Sequence, residues 1–230
     1  MNAIVMAAGA GTRLRPVTER WPKAVLPIDG RPVLATLLHE LRASGCERVW
    51  LVSGHLATQV ERLAGNGAAF GMDVRTIRQP VVLGTADAVQ RALDGGAELP
   101  CLVVAADTVF RPGDVGCLAN SFSSSGAAGA IAVRRDPPPG PGRRAVVVRE
   151  GRVTAVREGD GPLSGAPLWG IDRPVAERLC LDREPFELGN AYHAALQAGE
   201  TIVAVEIGKT RDLTDPLDLV EENFSYLRGT

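Results

Sequence analysis

This chain is short of several things, and each shortage removes a class of protein. Aromatic residues are only 4% of its 230 residues, too few for a platform on which nucleic-acid bases stack. The formal net charge is −2, whereas a chain devoted to gripping nucleic-acid phosphates carries a marked basic excess. No run of 18 apolar residues occurs, so no membrane span is expected. The four cysteines (Cys46, Cys101, Cys117, Cys180) form no Cys-x-x-Cys pair, and we read them as small core residues in a reducing compartment. The start, Met1-Asn-Ala-Ile-Val-Met-Ala-Ala, lacks the basic stretch of a secretory signal, which makes the cytoplasm the expected location. Lysine is scarce too. Of 25 basic residues only Lys23 and Lys209 are lysines, which singles both out.

What remains is an ordinary globular composition, 45% hydrophobic and 23% charged, in a chain long enough to build a core without disulfides. Residues 3–7 read as a buried strand entering a tight glycine turn. Val33, Leu34, Leu37, Leu38 and Leu41 have helical spacing, with Pro32 at the start and Gly45 at the end. Strand 48–53, helix 56–63, strand 74–77, helix 86–93 and strand 102–106 continue the alternation. That order predicts an α/β fold with three layers, a Rossmann-like, mostly parallel sheet covered on both faces. The pattern breaks at Asp136-Pro-Pro-Pro-Gly-Pro-Gly142, which must be a loop. Beyond it, 145–148 and 152–156 flank a hairpin turn, 168–171 reads as a strand, 187–198 as a helix and 201–207 as a strand. A last amphipathic helix is expected over 214–227, with Thr214 as its N-cap and Asp215 and Pro216 in the first turn.

The segment richest in chemistry is Ala7-Ala-Gly-Ala-Gly-Thr-Arg-Leu-Arg-Pro16, leading to Trp21-Pro22-Lys23. A glycine loop after the first strand lies at the carboxyl edge of such a sheet, where α/β folds bind ligands. Glycines let backbone N–H groups approach an anion, Arg13 offers a fork for phosphate oxygens, and Lys23 a mobile point charge. Two familiar phosphate loops are excluded: a dinucleotide fingerprint needs glycine where Leu14 stands, and Gly-Lys-Ser/Thr is missing. Asp107 ends an apolar run at the same edge, and Asp212 precedes the last helix. His39 and His193 read as helix-face residues and His55 as a loop residue; no Ser-His-Asp or Cys-His set is apparent.

Gly9-Ala-Gly11-Thr12-Arg13-Leu14-Arg-Pro16 followed by Pro22-Lys23 resembles the signature of the sugar-1-phosphate nucleotidylyltransferases, the NDP-sugar pyrophosphorylases such as the thymidylyl- and uridylyltransferases for glucose 1-phosphate. The resemblance extends from residue 1 to about 223. Three later segments agree in order: Gln79-Pro-Val-Val-Leu-Gly84-Thr85-Ala86, Asp107 after its strand, and Arg211-Asp212-Leu-Thr-Asp-Pro. The resemblance implies a nucleotide-diphospho-sugar transferase fold in one domain, with a nucleotide-binding part (1–135) and an acceptor-binding part (136–230). It implies Arg13 and Lys23 as catalytic residues, and Ala8, Gly9, Gly11, Thr12, Gln79, Gly84 and Thr85 as nucleotide-binding. Asp107 and Asp212 would hold Mg²⁺, and Glu158 would contact the acceptor. The activity implied is transfer of a nucleotidyl group from an NTP to a sugar 1-phosphate. A glutamine amide both donates and accepts, which suits the O4 and N3–H edge of uracil or thymine, so UTP or dTTP is expected. The partners are then an NTP and a phosphorylated small molecule, not nucleic acid or membrane; a homo-oligomer is compatible with this.

The acceptor end departs from the pattern. Gly159 replaces a lysine, Gly165-Ala-Pro167-Leu-Trp169 lacks the asparagine and glycine of Asn-x-Gly-Ile-Tyr, and Arg143-Arg144 stands for Tyr-Gly. The usual tryptophan before the second aspartate is Thr210. Two alternatives stay open: a cytidylyltransferase for a phospho-alcohol such as phosphocholine, and a non-catalytic regulatory subunit that binds a nucleotide-sugar. Two further expectations follow. Arg13 and Lys23 should lie in a solvent-facing loop, and Asp107 and Asp212, facing each other, should repel unless a cation separates them.

Overall fold

The computed structural model describes residues 1–135, 144–182 and 186–224, the side chain of Glu158 excepted. Strand β1 (Asn2–Ala7) runs into three short 3₁₀ turns (Thr12–Leu14, Val17–Glu19, Lys23–Val25) and a small ribbon of β2 (Pro27–Ile28) and β3 (Arg31–Pro32). Then come α1 (Val33–Ala43), β4 (Arg48–Ser53), α2 (Ala57–Ala64), β5 (Asp73–Arg78), α3 (Thr85–Asp94) and β6 (Cys101–Ala105). The second half holds β7 (Thr108–Val109), α4 (Asp114–Ser125), β8 (Gly129–Arg134), β9 (Arg144–Arg149), β10 (Arg152–Glu158) and β11 (Ser164–Ile171). It ends with α5 (Arg173–Ala176), α6 (Leu188–Gln197), β12 (Ile202–Glu206), β13 (Arg211–Asp212) and α7 (Pro216–Asn223).

Nine strands form one sheet in the order β5-β4-β1-β6-β11-β8-β12-β10-β9. β5, β4, β1 and β6 run parallel, as expected. The sheet as a whole is mixed, not mostly parallel: β11 is antiparallel to both β6 and β8, and β10 to both β12 and β9. The reason is the connections. Helical crossovers return a strand parallel, but β9 and β10 are joined by a tight turn with φ 50° at Glu150 and 74° at Gly151, which permits only an antiparallel return.

Alternate residues of the central strands face opposite sides. Val5, Leu51, Leu102 and Val104 pack with Leu34, Leu38 and Leu118 of α1 and α4. Ile4, Trp50, Val52 and Val103 pack with Val89 of α3 and Tyr192 of α6. Both faces are therefore covered, and the strands read as continuous apolar runs because both sides of each are buried.

Two local expectations are corrected. The N-cap of α7 is Asp215, not Thr214: its carboxylate accepts from Leu217 N at 2.9 Å, while Asp218 accepts from Asp215 N at 2.8 Å. With Pro216 at the first helical position, this reciprocal capping box starts the helix one residue later than Thr214 would. Of the cysteines, Cys46 and Cys101 are buried, but Cys117 and Cys180 are exposed. Cys117 lies on the outer face of α4, and Cys180 in the chain beyond α5, where no layer covers it. Burial pushes the Cys46 thiol up to about 11 and that of Cys101 to about 12. Among the described residues no helix is long and apolar enough to cross a membrane.

Candidate active site

The loop after β1 leaves the carboxyl edge through Gly11, whose φ of +59° favours glycine and whose added Cβ would lie 2.9 Å from Thr18 Cγ2. Thr18 is buried and its hydroxyl donates to Gly11 O at 2.9 Å. His55 pins the same turn from behind: its ring Nε2 meets Thr18 O at 2.6 Å, as a donor to a carbonyl, and its backbone N–H donates to Ala8 O at 3.0 Å. Thr18 and His55 thus brace a loop whose glycines alone were legible. Thr12 and Arg13 stand exposed at its rim.

Lys23 does not lie in a solvent-facing loop. It opens a 3₁₀ turn with its side chain only 14% exposed, and Nζ sits 2.5 Å from Asp107 Oδ2. Asp107 follows β6, the neighbour of β1 in the sheet. The ammonium is drawn inward because the carboxylate ending that adjacent strand is its nearest counter-charge.

The small ribbon of β7 and β13 sets Asp212 opposite Thr108, so the two aspartates, far apart in sequence, do converge. The Thr108 hydroxyl bonds to Asp212 Oδ1 and lies 3.4 Å from Asp107 Oδ1. The expected repulsion is already relieved, because each carboxylate has its own cation. Asp107 has Lys23, and Asp212 has Arg134 Nη1 at 3.3 Å, with the Thr210 hydroxyl at 2.9 Å. Thr210, where the resemblance called for tryptophan, therefore contributes a hydrogen bond to this carboxylate.

Gln79, just beyond β5, is buried, and its backbone N–H donates to Ser53 O at 2.7 Å. Next to it the guanidinium of Arg78 grips Glu61 through two hydrogen bonds (2.8 and 2.9 Å) and holds that carboxyl below its usual range. The Gln79 side-chain nitrogen donates to Gly84 O at 3.2 Å and to Asp87 Oδ2 at 2.6 Å, and Asp87 in turn takes Arg91 Nε at 2.7 Å. Gly84 has φ +128°, and a Cβ there would collide with the carbonyl of Phe186 and stand 2.7 Å from its nitrogen. Thr85 does not cap its own helix. Its hydroxyl accepts from Leu188 N at 2.7 Å, satisfying the first turn of α6, and donates to Glu187 Oε2 at 2.9 Å.

These pieces enclose two adjoining cavities. The first, about 400 Å³, is lined by Ala8, Gly9, Gly11, Thr12, Arg13, Lys23, Gln79, Gly84, Thr85 and Asp107. The second, about 510 Å³, shares Arg13, Lys23, Thr85, Asp107 and Glu187 with it and adds Asp212, Arg134, Arg144 and Trp169. Every residue given a site role from the sequence lines one of these two cavities except Glu158, whose side chain lies outside the described residues; Lys209, the other lysine, lines neither. Glu187, Arg134 and Arg144 were missed. Glu187 merely looked like the start of a helix, Arg134 sat at a strand end with no motif around it, and Arg144 showed only as a departure from Tyr-Gly at the start of β9.

Residues 2–157 match the family described as nucleotidyl transferase. Over 97% of its length the chain is 28% identical to the low-salt glycan biosynthesis nucleotidyltransferase Agl11 of Haloferax volcanii, covering 65% of that protein. Over its whole length it is 29% identical to the glucose-1-phosphate thymidylyltransferase of Streptomyces griseus, covering 67% of it. The chain thus spans about two thirds of the length of these curated relatives. Its fold is also that of the inositol-1-phosphate CTP transferase from T. maritima: the TM-score is 0.81 at 22% identity, over 99% of this chain and 96% of that one. Since the matched span takes in more than half of the residues, and with them Lys23 and Asp107, the chain belongs to the nucleotidyl transferase family.

Proposed function

We propose that this chain transfers a nucleotidyl group from an NTP, UTP or dTTP, to a sugar 1-phosphate, releasing pyrophosphate in the cytoplasm. The observation that carries this is the pair of abutting cavities with Arg13, Lys23 and Asp107 on their common wall. The first cavity takes the NTP, largely against residues 1–135, and the second takes the acceptor, largely against residues beyond 135. The attacking atom is a phosphate oxygen already ionised at pH 7, so no general base is needed. Repulsion between two anions is the obstacle, and alignment with neutralisation is the remedy. Lys23 spends one of its three N–H donors on Asp107, leaving two for phosphate oxygens. Arg13 closes the rim with its fork, and Gly9 and Gly11 allow the backbone to approach the triphosphate. Glu158 is the proposed contact to the acceptor.

Asp107 and Asp212 fit Mg²⁺. Both are hard oxygen donors brought together by the Thr108 hydroxyl, and Mg²⁺ usually keeps several waters and needs only one or two carboxylates beside substrate phosphates. Phosphate oxygens of the nucleotide and waters would complete the coordination. When bound, the ion would neutralise charge on the reacting phosphates. A pyrophosphate-release screen with four NTPs against sugar 1-phosphates and phospho-alcohols tests the reading. Release with UTP or dTTP and a sugar 1-phosphate is expected. CTP with phosphocholine as the productive pair would replace the acceptor assignment, and nucleotide binding without release for any pair would replace the enzyme with a binding subunit.

A further inference from the structure

We infer that Asp87 is a positioning residue that turns Gln79 so that the first cavity selects bases carrying a ring N–H. This rests on the reading of that cavity as the nucleotide site, with Gln79 facing the base. Asp87, in the first turn of α3, is 6% exposed and forms an ion pair with Arg91 one helical turn on. As a carboxylate it can only accept. Its Oδ2 takes the Gln79 side-chain nitrogen at 2.6 Å, and Gly84 O takes it at 3.2 Å. Both amide N–H groups are thereby committed to the protein. Turning the amide over would set Oε1 against a carboxylate and a carbonyl oxygen, two repulsions in a buried place where an unmade hydrogen bond costs most. The chemistry of its neighbours therefore assigns the amide, and Oε1 is the atom left for a ligand.

This corrects the expectation that Gln79 both donates and accepts. A fixed acceptor pairs with the N3–H of uracil or thymine and with the N1–H of guanine. It meets a lone pair at the matching ring nitrogen of cytosine and adenine. Gln79 thus separates uracil from cytosine, which differ little in size, and the separation depends on Asp87 although Asp87 touches no nucleotide.

The test is the ratio of UTP to CTP affinity, measured calorimetrically with Mg²⁺ on the full chain. A destabilised fold would weaken both nucleotides together, so the ratio reports orientation rather than stability. Asp87→Asn can donate to Gln79, which frees the amide to turn. Its UTP:CTP ratio should fall about tenfold, the worth of one hydrogen bond. Asp87→Ala, which admits water in place of the carboxylate, should fall similarly and stands in if the asparagine variant does not fold. Gln79→Ala sorts the outcomes. If the wild-type ratio is near one, or Gln79→Ala leaves it unchanged, the base reading of Gln79 fails and this inference with it. If Gln79→Ala lowers the ratio while both Asp87 variants keep it, Gln79 reads the base without Asp87, and only the present inference is overturned.

Discussion

The two cavities are walled in different ways. Around the first cavity, β1, β5 and β6 are parallel and release their chains at one edge, so Gly9, Gly11, Gln79 and Asp107 all come from segments that directly follow a strand. Around the second the strands are largely antiparallel, and the wall is built from within them. Pro167 and Trp169 project from β11 itself, where the register against β8 shifts between Gly165 and Trp169. That irregularity is where a proline, which cannot donate to a ladder, is tolerated in a central strand. Parallel topology concentrates chemistry into contiguous, recognisable loops. Antiparallel topology spreads it over alternate positions of several strands, each unremarkable by itself.

The largest effects should fall where the cavities meet. Asp107→Asn, Lys23→Ala and Asp212→Asn should each cut pyrophosphate release about a hundredfold or more, the scale seen when one transition-state contact is removed. The Lys23–Asp107 pair is half-buried, so leaving one partner without the other should cost about 1–3 kcal/mol of stability. A melting temperature that collapses in step with turnover would make the shared wall a structural seam and break the comparison.

Trp169 lines only the second cavity, so Trp169→Ala should raise the acceptor KM about tenfold, the loss of roughly 1.4 kcal/mol, with the NTP KM unchanged. Parallel shifts in both constants would mean that the two sides do not bind separate substrates. Smaller still is the effect of Asp215→Ala. Removing this cap should cost about 1 kcal/mol in a denaturation experiment and leave turnover intact. Turnover lost with Asp215→Ala but kept with Asp212→Asn would move the second carboxylate of the site by three positions.

The smallest effect concerns Glu61, which steadies the end of β5 just before Gln79. Hydrogen bonding to Arg78 lowers its pKa below 4.5. The folded state therefore gains from this contact above that pH and loses it as the pH falls through the lowered value. Glu61→Gln should lower the neutral plateau of a melting-temperature profile slightly and flatten its acid limb, the two profiles meeting at low pH.

The parallel half of the fold and its loop residues were legible because the helical crossovers leave a periodic trace, and the loops keep a fixed spacing. The rest depended on partners that no local pattern shows. Thr85 looks like the cap of its own helix, yet it serves Leu188, 103 positions away. Asp87 reads as an ordinary acidic first turn, and its bond to Gln79 exists only because the loop that leaves β5 folds back across the start of α3. Thr214 and Asp215 are both good caps by type; the reach of Asp218 back to Asp215 decides between them. The hairpin of β9 and β10 was legible at its turn, but no local pattern shows that β11 inserts antiparallel between β6 and β8, and that is what makes the sheet mixed.

The joint between the two halves limits how such an enzyme could be rebuilt by recombination. Phe186 N donates to Leu83 O at 2.9 Å, Ala86 N to Phe186 O at 2.7 Å, and Leu188 N to Thr85 Oγ1 at 2.7 Å. Only glycine fits at position 84, because the Phe186 backbone leaves no room for a side chain. A chimaera that grafts a foreign acceptor half after residue 135 would import a stranger's segment at 186–188 and misalign the loop that holds Gln79. A crossover that takes residues 79–87 and 186–188 from the same parent avoids this, so the walls of the two cavities are inherited together.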